Sequence, residues 1–167
     1  SGRAKAIPDE FFGFNGASII QNINIDRLLD PRLQEQLATF PTRLIRVPTG
    51  TAAQWIDWRT GAFIDNPSSP FATIGKDRRP VTLHDWATLI ATTKATPVWD
   101  LNVLTSSLDE QIAMLEAAEQ LGMSVRYVEL GNELWDSRSV YPSIYPSGTD
   151  YAKAMNIWIP ALRQRFG

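Results

Sequence analysis

The sequence of 167 residues contains no cysteine and a single histidine, His84. The absence of cysteine excludes disulfides, thiol nucleophiles and cysteine-bound zinc. One histidine makes a histidine-based metal site or a serine triad very hard to build. The side-chain chemistry that remains is that of carboxylates, amides, hydroxyls and aromatic rings, and we expect neither a metal nor a cofactor.

Strong charge and long apolar runs are missing as well. The 16 basic and 18 acidic residues give a formal net charge of −2, so the basic footprint of a nucleic-acid-binding protein is absent. No run approaches the roughly 18 consecutive apolar residues of a transmembrane helix. We therefore expect no nucleic-acid partner and no membrane span. Hydrophobic residues still make up 44% of the chain, which is enough for a folded core.

The chain does contain four alternations of a predicted strand with a predicted helix. Apolar runs predict the strands at 11–15, 44–47, 97–103 and 125–130. Two of the helices begin with capping-box patterns, Thr82 with Asp85 and Ser107 with Glu110. This order predicts an α/β fold with parallel strands and right-handed crossovers, in one unit over 1–167.

Three places in the pattern depend on proline or glycine. Residues 48–80 are rich in Gly, Pro, Ser and Trp, and they predict a long loop after the second strand, of a kind that is usually functional or mobile. Pro31 is expected to divide the first helical stretch, with a helix beginning near Asp30. Pro160 is expected to kink the last helix or end its first segment, and that helix is expected to be capped near Thr149.

Every predicted strand ends in a polar or charged residue. These residues are Asn15, Arg46, Asp100 with Asn102, and Asn132 with Glu133. Sites in parallel α/β folds form at the carboxyl ends of strands. Glu133 is the sharpest candidate, because a carboxyl beside an amide and aromatic rings can act as a proton donor. The alternative is that these residues cap helices and stabilise turns, where Asn and Asp are favoured in any case.

Three motifs together resemble one enzyme family. Gly131-Asn132-Glu133 after the fourth strand resembles the acid/base signature of the clan of retaining glycoside hydrolases built on (β/α)8 barrels. The second-strand run from Leu44 to Thr51 is similar to the Arg-x-Pro-Gly-Gly-Thr strand of heparanase-like and arabinofuranosidase-like members, and Asp100-Leu101-Asn102 is similar to the third strand of heparanases. Thr49 and Asp100 stand where the family more often has glycine, which leaves the subfamily and the substrate open.

The resemblance implies a parallel (β/α)4 half of a TIM (β/α)8 barrel, the N-terminal half of a retaining O-glycoside hydrolase acting on a polysaccharide or glycoconjugate. Glu133 would be the general acid/base, and Asn132 would hold the sugar 2-hydroxyl. The nucleophile glutamate would follow a seventh strand outside this chain, so the chain alone is expected to be inactive. The resemblance also implies a secreted or periplasmic protein.

The remaining strand-end residues are candidate substrate contacts with a structural alternative. Arg46 would orient a catalytic carboxylate, or it would form a barrel-lining ion pair with a residue such as Glu129. Asp100 and Asn102 would contact sugar, or they would stabilise turns.

The tryptophans divide in the same way between sugar binding and packing. Trp99 and Trp135 are favoured for stacking on sugar rings, and Trp55 is a further substrate-binding candidate. Trp58 is expected to anchor the long loop by burial. Packing is expected of the two tryptophans in predicted helices, Trp86 and Trp158.

A half-barrel would leave strand edges exposed, so the expected partners are a carbohydrate and either a C-terminal half-barrel or a second copy of the chain. Two other functions remain open. The first is a non-catalytic carbohydrate-binding or assembly module with the same geometry. The second is a flavodoxin-like domain, which would have a five-stranded sheet and a phosphate-binding first loop.

Overall fold

A computed structural model of the chain describes residues 6–16, 19, 25–28, 30–39, 42–71, 73, 79–137 and 140–167. Its strands are β1 (Gly13–Asn15), β2 (Leu44–Val47), β3 (Ile56–Asp57), β4 (Ala62–Phe63), β5 (Thr96–Asp100) and β6 (Tyr127–Glu129). Its α-helices are α1 (Ile25–Leu28), α2 (Pro31–Thr39), α3 (Leu83–Thr93), α4 (Leu108–Gln120), α5 (Val140–Ile144) and α6 (Gly148–Phe166). Short 3-10 helices cover Asp9–Phe11 and Thr51–Trp55.

Strands β1, β2, β5 and β6 form one parallel sheet in that order. The predicted α/β fold with parallel strands is therefore confirmed. The four strands of the described sheet follow each other in chain order, as they do in a barrel, whereas a flavodoxin-like sheet has five strands in the order 2-1-3-4-5. The register places Arg46 level with Asn15 and Val98, and Asp100 level with Glu129.

The two faces of the sheet differ in burial. Ile45, Val47 and Trp99 on one face are at most 3% exposed, and they pack in the main apolar core with helix residues such as Leu89 and Leu115. Side chains alternate between the faces of a strand, so Arg46 and its neighbours point to the opposite face, which is only half-buried in β2 and β6. Burial of one face against helices is what the helix-rich sequence between the strands produces.

The predicted helix starts agree with the structure, with one difference. The Thr82 hydroxyl accepts from the Asp85 N–H and the Asp85 carboxylate accepts from the Thr82 N–H, so the capping box of α3 is confirmed. At α4 the Ser107 hydroxyl accepts from the Glu110 N–H, but the reciprocal bond is absent. The Glu110 carboxylate instead accepts from Arg59, because the turn between β3 and β4 brings this guanidinium within reach.

The prediction at Pro31 is confirmed, whereas at Pro160 the last helix does not end. Helix α2 begins at Pro31, as expected. Helix α6 begins one residue after its cap, Ser147, and continues through Pro160 to Phe166. Buried Trp158 and Leu162 on either side of the proline hold the helix against the core, which offsets the lost backbone hydrogen bond.

The predicted loop at 48–80 contains ordered structure. Its described part holds the 3-10 helix at Thr51–Trp55 and an antiparallel pair, β3 with β4. Residues 72 and 74–78 lie outside the described part. Trp58 packs against the core and donates its indole N–H to Glu110, which agrees with the predicted anchoring role. The two helical tryptophans are buried as predicted, Trp86 at 2% and Trp158 at 8% exposure. Within the described ranges, none of the helices has the length and apolar character needed to cross a membrane.

Candidate functional site

Arg46 lies at the centre of a polar cluster at the carboxyl end of the sheet. Its Nε donates to Oε2 of Glu129 over 2.6 Å, and one Nη donates to Oδ1 of Asn132 over 2.8 Å. The same Nη lies 3.4 Å from a carboxylate oxygen of Asp100. The pairing with Glu129 matches the ion-pair alternative for Arg46. The arginine thus joins three strands of the sheet through one half-buried guanidinium.

Asp100 is the most deeply buried ionisable group of the cluster, at 1% exposure. Arg46 lies close to it but directs its hydrogen bonds to Asn132 and Glu129. Neither carboxyl oxygen of Asp100 has a hydrogen-bond partner among the described residues. Burial raises the pKa of Asp100 to about 8, against the opposing attraction of Arg46 and with a further rise from the charge of Glu129.

Asn132, Thr51 and Glu133 form a hydrogen-bonded series next to Arg46. The Asn132 amide nitrogen donates to the Thr51 hydroxyl over 2.9 Å. The Thr51 hydroxyl donates in turn to Oε2 of Glu133 over 2.7 Å. The series connects the end of β2, the 3-10 helix after it and the loop after β6. The strongest sequence candidate, Glu133, is therefore connected to Arg46 through two intermediate side chains.

The backbone of the loop after β6 is unusual at two positions. Gly131 has φ of +84°, and a Cβ there would lie 2.6 Å from Cγ2 of Val103, so only glycine fits. Glu133 has φ of +50° without being glycine. A left-handed conformation costs an ordinary residue about 1–2 kcal/mol. Outliers of this kind cluster at functional sites, where surrounding contacts hold them in place.

An open groove of about 540 Å³ runs beside Glu133. Trp135 lies on its rim with 82% of its surface exposed. Tyr145 and Tyr151 line the groove, with their rings edge to face at 5.5 Å. Both tyrosine hydroxyls donate to backbone carbonyls, so the rings are fixed in position. Of the tryptophans predicted to bind sugar, Trp135 is the one that the structure places beside Glu133.

Three predicted substrate contacts lie elsewhere in the structure. Asn102 is 3% exposed; its amide donates to the Thr105 hydroxyl, and its carbonyl oxygen accepts from the backbone N–H of Thr105. These bonds match the turn-stabilising alternative. Trp99 is 1% exposed in the core, and Trp55 is fully buried near Leu104. Neither indole face is accessible to a sugar ring.

The sequence predicted no role for Thr51, although the residue belongs to the second-strand motif. Thr51 stands 81 residues before Asn132, and only the fold brings the two together. Gly50 was missed as well: a Cβ there would lie 2.8 Å from an Nη of Arg46 and 3.2 Å from Oδ1 of Asn132. A small residue followed by a hydroxyl residue directly after a strand end is the signal that these positions offered.

Among the described residues, no group of three or more His, Asp or Glu side chains is arranged to hold a metal ion. Comparisons with protein-family models, with curated proteins and with solved structures each found no match. The resemblance of the strand-end motifs to glycoside hydrolases therefore stays a prediction from the sequence.

Proposed function

We propose that this chain is the N-terminal (β/α)4 half of a (β/α)8-barrel retaining O-glycoside hydrolase, with Glu133 as its general acid/base. The observation that carries the proposal is the environment of Glu133. It follows the fourth of four parallel strands in chain order, has a left-handed backbone, and accepts a hydrogen bond from Thr51. Sites of parallel α/β folds form at this end of the sheet.

The uneven faces of the sheet support the half-barrel. A barrel has helices outside and side chains inside, and its inner face completes its packing with the strands opposite. The half-buried face that holds Arg46 and Glu129 has the polar character of an inner face near a site. At the outer edge of the sheet, Phe14 of β1 is 48% exposed, and Phe11 in the 3-10 helix before this strand is 73% exposed. Further strands would cover this edge, supplied by a C-terminal half-barrel or by a second copy.

In the proposed reaction, Glu133 gives its proton to the glycosidic oxygen as the bond to the anomeric carbon breaks. A second carboxylate, from the part that completes the barrel, takes the sugar as a covalent intermediate. Glu133 then removes a proton from water, which releases the sugar. Asn132 uses its Oδ1 on Arg46 and one amide hydrogen on Thr51. Its second amide hydrogen has no acceptor within the described ranges and is available to a sugar hydroxyl.

The groove beside Glu133 supports a carbohydrate substrate of more than one unit. Sugar rings have apolar faces that stack on aromatic side chains, and Trp135 presents an exposed ring on the groove rim. A general acid lies next to the leaving group, so the groove corresponds to the leaving-group side of the scissile bond. A polysaccharide or glycoconjugate would place its next unit there.

The proposal is tested by Glu133→Gln in the full-length protein that contains this half-barrel. We expect turnover of aryl glycosides to fall by about 10²- to 10⁴-fold, the range for loss of a general acid/base. Glu116→Gln is the matched control, because Glu116 pairs with Arg165 on the helical surface and should leave turnover unchanged. Undiminished turnover in Glu133→Gln would show that another residue is the acid/base.

The exposed ring of Trp135 also favours a second function, a non-catalytic carbohydrate-binding module. Such a module would need the groove but not the carboxylate. Oligosaccharide binding that is unchanged by Glu133→Ala, together with no turnover in the complete barrel, would favour this function. Binding that is lost in Trp135→Ala would place the sugar in the groove in either case.

A further inference from the structure

With Glu133 as a carboxylate, the series from Arg46 to Glu133 has one direction of hydrogen bonding. An arginine only donates, so the Asn132 atom that faces Arg46 is the acceptor Oδ1. The Asn132 amide nitrogen therefore faces Thr51 and donates to its hydroxyl oxygen. The hydroxyl has a single proton, and the acceptor for it is Oε2 of Glu133. No other acceptor for this proton is found among the described residues.

We propose that Thr51 is a positioning residue that reserves Oε2 of Glu133 as an acceptor and leaves Oε1 as the oxygen that carries the catalytic proton. The inference rests on the proposed function of Glu133 and adds the identity of the reacting oxygen. A proton on Oε2 would force the Thr51 hydroxyl to turn its own proton away, towards a side where the described residues offer no other acceptor. A proton on Oε1 meets no such conflict.

The surrounding backbone holds this arrangement. Glu133 has φ of +50°, which limits the directions its side chain can take from the loop. Gly50 precedes Thr51 and has no Cβ, which lets the guanidinium of Arg46 and the amide of Asn132 approach each other. Thr51, which donates to Glu133, and Arg46, which directs the Asn132 amide, thus lie on one segment, from β2 to the 3-10 helix after it.

The two carboxyl oxygens of Glu133 therefore have different roles in the reaction. In the first step the Oε1–H bond breaks and its proton goes to the glycosidic oxygen, which also takes the electrons of the breaking C–O bond, while the second carboxylate bonds to the anomeric carbon. In the second step Oε1 takes a proton from water, whose oxygen bonds to the anomeric carbon and displaces the second carboxylate. Oε2 keeps the Thr51 hydrogen bond throughout, so the negative charge that forms on Glu133 has a donor in place.

The first test needs no catalytic activity. Urea denaturation of the chain is measured for Thr51→Val, Glu133→Ala and the double variant. We expect Glu133→Ala to lower the denaturation midpoint less in the Thr51→Val background than in the wild type, because the shared bond is already lost. In a Thr51→Ser background, which keeps the hydroxyl, the effect of Glu133→Ala should equal that in the wild type. If Glu133→Ala lowered the midpoint by the same amount in the Thr51→Val background as in the wild type, the inference would be overturned.

The second test compares leaving groups in the full-length protein. Thr51→Val should slow turnover of a phenyl glycoside by about 10- to 100-fold, the range for a hydrogen bond to a charged group. Turnover of the matching dinitrophenyl glycoside, whose leaving group needs no proton, should change far less. Thr51→Ser should restore the phenyl rate. Equal losses on both substrates would overturn the positioning role, whereas an inert Glu133→Gln substitution would overturn the proposed function and leave the denaturation result to judge the hydrogen bond.

Discussion

Strands β5 and β6 lie side by side and continue into similar sequences, Asp100-Leu101-Asn102 and Glu129-Leu130-Gly131-Asn132. Asp100 and Glu129 are level in the register. After β5 the contacts of the asparagine are local: Asn102 is buried, and its side chain bonds to the turn that follows. After β6, Asn132 lies half-buried beside Arg46 and is bonded to residues from distant parts of the chain.

The extra glycine accounts for the difference. Gly131, the residue before Asn132, has φ of +84°, whereas Leu101, the residue before Asn102, does not have a positive φ. The glycine redirects the chain so that Asn132 faces the polar cluster and Glu133 follows at the surface. The acidic residues of the two strands also differ in burial. The Asp100 side chain is fully buried, whereas the Glu129 side chain is 39% exposed and paired with Arg46. One inserted residue thus separates a structural strand end from a candidate functional one.

Replacing that glycine should have the largest effect. In Gly131→Ala the new Cβ meets Val103 at 2.6 Å with a positive φ, so we expect a loss of about 2–5 kcal/mol of unfolding free energy from backbone strain and overpacking together. Gly122→Ala is the matched control: its φ is +80° but nothing lies within 4 Å, so about 1 kcal/mol should be lost. Both are measured by urea denaturation, and equal losses would mean that packing against Val103 plays no part.

Asp100 provides the next comparison, through pH. Its pKa is raised from 3.8 to about 8 in the folded chain, so between these values the folded state holds a proton that the unfolded state has released. Stability should therefore fall as pH rises across this window, by about 1.4 kcal/mol per unit, or near 3 kcal/mol between about pH 5 and pH 7. Asp100→Asn cannot ionise and should lack this contribution. Parallel pH–stability curves for the two proteins would contradict the raised pKa of Asp100.

Much of the fold could be predicted from local sequence. The structure has β2 at the predicted residues, Leu44–Val47, and Pro48 ends the strand. The predicted capping box of α3 is present with both of its hydrogen bonds. The third predicted strand ran to Val103, but β5 ends at Asp100. The apolar residues after it leave the sheet because buried Gln54 bonds to the backbone at Leu101 and Val103. Apolar composition alone does not distinguish a strand from a buried loop held by a distant amide.

The candidate site was less accessible to such reasoning. The position of Glu133 after an apolar strand made it a candidate from local residues alone. Its connection to Arg46 depends on Thr51, which contacts a residue 82 positions away. The role of Asn102 was undecidable from residue type, since an asparagine after a strand serves a turn and a sugar equally well. Partners supplied by tertiary structure decided between the two.

The two asparagines offer the most direct test of the comparison, with a smaller expected effect on stability. Asn102→Ala leaves the buried N–H of Leu104 and the half-buried N–H of Thr105 without their acceptor, so about 1–3 kcal/mol of unfolding free energy should be lost. Asn132→Ala should cost less than about 1 kcal/mol, because its partners remain near solvent or have other acceptors. Under the proposed function, the ranking reverses for activity: Asn132→Ala should lower kcat/KM on aryl glycosides, whereas Asn102→Ala, assayed well below its melting temperature, should not. If both substitutions lowered stability and activity in the same proportion, the two strand ends would be equivalent, and Gly131 would not separate a turn from a site.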